Sequence, residues 1–108
     1  MLQATDIERR LLIVEHAVGQ AAQACSAEAN VPSELRDCVQ RLDKQSDLAR
    51  AAMAGQDEAR MRKAVDELGL LSERAQRVCD NVPRLTAQMK STVHHMRRQI
   101  IELKHELH

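Results

Sequence analysis

Residues 83–107 read PRLTAQMKSTVHHMRRQIIELKHEL, which sets Leu85, Met89, Val93, Met96, Ile100, Leu103 and Leu107 at spacings of three and four. That repeat is the period of an α-helix with one apolar face. The segment opens on Pro83, and proline is tolerated at the first position of a helix because its missing N–H would have had no partner there. A helix over about 83–107 follows. The tripeptide Asn81-Val82-Pro83 before it has a counterpart some fifty residues upstream in Asn30-Val31-Pro32. Inside a helix a proline costs about 3 kcal/mol, so both tripeptides read as a turn followed by a restart.

Between these two turns the apolar positions fall into two further stripes. Leu35, Val39, Leu42, Ala49 and Met53 share one face, interrupted by polar Ser46. Met61, Ala64, Leu68, Leu71, Ala75 and Val78 share another. Gly55 separates them as a left-handed C-terminal residue, and Asp57 supplies the next N-cap. Upstream of Pro32, the stripe Ile7, Leu11, Val14, Val18, Ala21 and Cys25 follows Thr5-Asp6-Ile7-Glu8. That tetrapeptide has the form of a capping box, in which the Thr5 hydroxyl and the Glu8 carboxylate each satisfy a backbone N–H of the first turn.

The pattern predicts an all-α, up-down-up-down antiparallel four-helix bundle, with helices at about 5–29, 32–54, 57–80 and 83–107 in a single domain, 1–108. Each helix has about 23 residues and a length of ~35 Å, and short connections make sequence neighbours antiparallel. A long coiled-coil hairpin would bury the same stripes, but Pro32, Gly55 and Pro83 mark breaks that fit four matched helices better. The two halves share a layout, with Leu35 matching Leu85 and Gly19 matching Gly69, but few other identities. The layout is that of any symmetrical bundle and not evidence of duplication.

Composition narrows the function classes. The chain has 108 residues, a formal net charge of zero, 44% apolar and 30% charged residues, and no Phe, Tyr or Trp. Without aromatic residues it has no stacking platform for bases and no aromatic wall for a flat cofactor. Helix 4 carries Lys90, Arg97, Arg98 and Lys104, but charge neutrality and the lack of a dense basic stripe argue against nucleic acid. The longest apolar run, Leu11-Leu12-Ile13-Val14, is too short for a signal sequence or a membrane span. An odd number of cysteines suits a reducing compartment, so the expected location is the cytoplasm.

Candidate chemistry is sparse. The topology brings Cys25, Cys38 and Cys79 toward one pole, where Met89 completes a soft ligand set for Cu(I) or Zn(II). Against that reading, cysteine is also a common small core residue, and no pair has Cys-x-x-Cys spacing. A Cys25–Cys38 disulfide is a further alternative. His16, His94 and His95 point away from the apolar stripes. His105 and His108 are three apart at the chain end, which is not zincin spacing. Gly19 and Gly69, inside helices, suit either close helix approach or a solvated face. No cofactor is implied, and no nucleophile–base pair, inward carboxylate pair or phosphate-cradling loop points to an enzyme.

His16-Ala17-Val18-Gly19 resembles the phosphoacceptor stretch of histidine phosphotransfer domains, four-helix bundles of this size with an exposed helical histidine. The resemblance covers these residues only. It departs from the family in lacking the lysine after the histidine and in placing the glycine one position early. It would imply a phosphoryl-accepting role for His16.

One large aliphatic on each helix lies off its own stripe: Leu12, Leu48, Leu70 and Ile101. Single exposed leucines are ordinary on soluble proteins, but one per helix suggests a second buried surface. The leading expectation is therefore a non-enzymatic interaction module that binds a protein partner or itself. A soft-metal or redox protein is the alternative, and a phosphotransfer-like domain comes third.

Overall fold

A computed structural model describes residues 4–107, which form four helices: α1 (Ala4–Ala27), α2 (Ser33–Ala54), α3 (Glu58–Asn81) and α4 (Ala87–Leu107). Each described helix lies beside two neighbours in the cyclic order α1, α2, α3, α4 and back to α1, and diagonal helices meet only through side chains in the shared core. The product is a prism of 44 × 19 × 18 Å. All neighbours are antiparallel. Arg10 near the start of α1 meets Glu102 near the end of α4, while Glu34 at the start of α2 meets Arg74 late in α3.

The stripes read from the sequence form the core. All six positions on α1 and all seven from Leu85 to Leu107 are buried. Met53 and Leu71 are only partly buried and pack against the core from its margin. Ser46 and Ser72 lie inside it, at 2% and 0% exposure. Their hydroxyls donate to the carbonyls of Asp43 (2.8 Å) and Gly69 (2.9 Å), each three residues back on its own helix. This local bond removes the cost of burying an unsatisfied hydroxyl.

One cross-helix ion pair or set sits on every seam. Arg50 of α2 reaches Glu15 and Glu8 of α1, and Arg74 of α3 reaches Glu34 of α2. Lys104 of α4 lies 3.9 Å from Asp66 of α3, and Arg10 of α1 lies 2.6 Å from Glu102 of α4. Exposed pairs of this kind contribute ~0–1 kcal/mol each, so they specify register more than they stabilise.

The helix ends correct several sequence readings. α1 is already helical at Ala4, which places Thr5 inside the helix and not at its cap. The expected capping box at Thr5 and Glu8 therefore does not start α1. At its other end α1 stops at Ala27, two residues early, and the Arg36 guanidinium donates to the Glu28 carbonyl at 2.8 Å. Pro32 is the N-cap of α2 and not its first residue. Its extended backbone (φ −60°, ψ 145°) directs its carbonyl at the N–H groups of Leu35 and Arg36, both 3.1 Å away.

Gly55 is the C-cap of α2 but has φ −85°, and the left-handed residue is Gln56 at φ 55°. The bonds Asp57 N–H to Ala52 O (2.9 Å) and Gln56 N–H to Met53 O (3.1 Å) form the paired closure of a Schellman motif one residue later than Gly55 suggests. Asp57 then caps α3 as expected, its carboxylate accepting from the Arg60 N–H at 3.0 Å. Because Gln56 is held where glycine has no steric penalty, Gln56→Gly is expected to raise the unfolding free energy by about 1 kcal/mol. Urea denaturation checks this, and a loss of stability would contradict the assignment.

The largest correction concerns α4, which begins at Ala87 and not at Pro83. α3 runs through Asn81, and residues 82–86 form a connection in which the Leu85 N–H reaches the Val82 carbonyl at 3.4 Å. The Thr86 hydroxyl accepts from the Met89 N–H at 3.1 Å, which is the hydrogen bond of an N-cap. The two Asn-Val-Pro tripeptides thus differ in outcome: three residues after its proline the second has Thr86, whose hydroxyl caps the helix, where the first has Leu35.

Candidate functional site

The three thiols are all buried and free. Burial is the main cause that pushes each of them up from the ordinary thiol range, with Cys79 raised to about 11. Asp80 and the Cys25 thiol add to the rise at Cys79 and Lys90 opposes it, so Cys25 and Cys79 are close enough to influence each other. Cys38 instead senses Arg74, Asp37, Glu34 and Arg41 on the α2/α3 side. Among the described residues no group of three or more His, Cys, Asp or Glu side chains is placed to hold a metal ion, so nothing in the geometry favours the soft-ligand candidates Cys25, Cys38, Cys79 and Met89 over a core role. Met89 is a fully buried core residue.

His16, His94, His95 and His105 are exposed, and His108 lies outside the described residues. A Cβ on Gly19 would meet nothing within 4 Å, and one on Gly69 would touch only the Lys104 side chain at 3.8 Å. Neither glycine is there for close helix approach. No described helix is long and apolar enough to cross a membrane.

The outward aliphatics give a clearer pattern. Leu12, Leu48 and Leu70 are exposed at 56%, 48% and 62%. Ile101 is only half-buried, which corrects its place in the set, and Ile13 joins at 38%. The signal for Ile13 was the run Leu11-Leu12-Ile13-Val14. Four consecutive helical residues span 300° of the circumference, so when Leu11 and Val14 face the core the two between cannot.

Each outward residue can be assigned to a seam by the charged residues beside it on its helix. Leu12 lies between Glu8 and Glu15, which face Arg50 of α2. Ile13 follows Arg10, which faces α4. Ile101 precedes Lys104, which faces α3. Leu48 lines a groove between α2 and α3, and Leu70 continues the i, i+4, i+7 line of Lys63 and Glu67, which line the same groove. Among the described residues, only the α2/α3 face therefore holds two strongly exposed leucines.

The groove encloses about 700 Å³ near the hairpin end of that face. It exists because Ala51, Ala52, Gly55 and Ala64 supply almost no side chain where α2 and α3 converge. Leu48 stands at its wall, and Lys63, Glu67 and Arg60 supply charge around it. The Asp57–Arg60 contact (3.3 Å) neutralises one end. Lys44, Lys63, Glu67 and Arg77 enter no ion pair among the described residues.

Fold and surface together define an all-α four-helix bundle whose most distinctive outer feature is an apolar groove with mixed charge. Compared with known protein families, curated proteins and solved structures, the chain matches none.

Proposed function

We propose that this chain is a small, non-enzymatic helical interaction module, and that the outer face of α2 and α3 is where it binds. The observation that carries the reading is the coincidence of Leu48 and Leu70, 48% and 62% exposed, with an alanine-lined groove on a single face. Water around such a groove and its leucines is released when a complementary surface packs there, and burying a leucine side chain contributes ~1.5–3 kcal/mol. With no aromatic residue in the chain, Leu48 and Leu70 are the natural anchors, and the surrounding lysines, arginines and glutamates set orientation. Three free buried thiols support work in a reducing compartment such as the cytoplasm.

The test is capture of binding proteins from the source cell by wild-type chain and by Leu48→Glu, with far-ultraviolet circular dichroism showing that both are folded. The substitution is expected to abolish capture of any specific partner, because it places a charge against a surface shaped for a leucine. Unchanged capture would remove this face from consideration.

A further inference from the structure

The charges on the α2/α3 face favour one kind of occupant. In the antiparallel hairpin, residues of equal height have numbers that add to a near-constant value, set by the turn between Ala54 and Glu58. At 1.5 Å per residue, Glu34 then lies level with Arg77, Asp37 with Arg74, Lys44 with Glu67, and Leu48 with Ala64, each within about one residue. At three of these four levels α2 and α3 carry opposite charges, and at the fourth a leucine lies level with an alanine. Within one chain only part of this complementarity is used. Arg74 takes Glu34 at 3.4 Å and Arg41 takes Asp37 at 3.1 Å, while Lys44, Glu67 and Arg77 enter no ion pair among the described residues.

A two-fold axis parallel to the helices and lying over the groove would set α2 of one chain against α3 of another at equal heights. That operation brings Lys44 to the partner subunit's Glu67 and Leu48 to the partner subunit's Ala64, and repeats both contacts by symmetry. It also brings Glu34 to the partner subunit's Arg77. A two-fold axis across the helices would instead oppose α2 with α2 and α3 with α3, giving no such matching. The long side of the bundle measures 44 × 19 Å, about the 800 Å² per partner that a standard stable interface takes.

Building on the interaction-module reading, we propose that the α2/α3 face binds a second copy of this chain in a parallel, two-fold symmetric dimer. Leu48 of each copy fills the small-residue groove of the other, and the Lys44–Glu67 contacts flank it.

The experiment measures mass in solution by sedimentation equilibrium from low to high micromolar concentration. Wild type is expected to reach twice the 12.2 kDa chain mass. Lys44→Glu alone and Glu67→Lys alone are each expected to weaken self-association about tenfold or more, since each places like charges opposite one another twice. An equimolar mixture of these two variants is expected to recover wild-type association, because each altered residue then meets its opposite. Leu48→Glu is expected to be monomeric and folded. Wild type that stays monomeric at high micromolar concentration overturns the dimer, as does a mixture that associates no better than its components. If a monomeric wild type captures another protein and Leu48→Glu does not, the dimer fails while the interaction module stands. If Leu48→Glu alters neither mass nor capture, both fall.

Discussion

Leu68→Ala is expected to lower the unfolding free energy by about 3 kcal/mol, and the thermal midpoint by roughly 15 °C. Val14, Leu42, Leu68 and Met96 lie near mid-height on their four helices and are each 0% exposed. With no aromatic ring anywhere in the chain, the core is built mainly from aliphatic and thioether side chains, with thiols and two serines among them, so each large aliphatic contributes a large share of its layer. Removing three carbons from Leu68 loses their transfer free energy and leaves a cavity. Val14 is branched at Cβ and has little rotamer freedom with which to fill it. Met96 is the one neighbour in this set with the flexibility to relax inward, which keeps the expected cost below the ~5 kcal/mol upper end of such truncations. Met96→Leu conserves volume and is expected to cost less than about 1.5 kcal/mol. Urea titrations followed by far-ultraviolet circular dichroism check both. A Leu68→Ala cost under about 1 kcal/mol would mean that the centre of the bundle is not close-packed.

Raising the pH from about 9 to about 11 is expected to destabilise the fold by up to ~3 kcal/mol through Cys79 alone. The sign follows from where the proton is lost first. In the unfolded chain the thiol ionises near 9.0, whereas in the folded protein burial holds it neutral until about 11. Between those values the unfolded state binds fewer protons than the native state, so stability is fully present below about 9 and falls as pH rises toward 11. At ~1.4 kcal/mol per pH unit this gives the stated limit, and Cys25 and Cys38, raised for the same main reason, act in the same direction. The sequence contains no tyrosine, so no phenol ionises in that window. The check is the urea midpoint of wild type and Cys79→Ala across the range. The variant is expected to be less stable near neutrality but to decline less steeply. A flat wild-type profile up to pH 11 would contradict the burial of these thiols.

Helix number, stripe membership and the two ends of the α2–α3 hairpin were readable from residue spacing. A three-and-four repeat of apolar residues reports a helix face directly, and Asp57 and Pro32 act on neighbouring backbone groups. The misreadings came from local competition. Pro83 and Thr86 both suit a helix start, and the Thr86 hydroxyl, bonded to the Met89 N–H at 3.1 Å, settled it. Gly55 and Gln56 competed for the left-handed position, and the hydrogen-bond closure to Ala52 and Met53 selected Gln56.

The candidate site was only partly legible. Leu48 and Leu70 were visible as outward residues, because helical phase is a property of one helix. Their shared face was not, because it depends on which helices are neighbours and at what height. The cysteines show the same divide in the opposite sense. Shared height at one pole was inferable from topology, but Cys38 lies toward α2 and α3 while Cys25 and Cys79 influence each other.

From sequence alone, then, follow four helices, their inward faces and the outward leucines Leu12, Leu48 and Leu70, since these depend on the 3.6-residue period and local backbone bonding. The groove between α2 and α3 and the equal heights of Lys44 and Glu67 come from the packing of antiparallel helices. Lateral neighbours and relative heights are fixed by contacts between residues far apart in the chain, which no local pattern encodes.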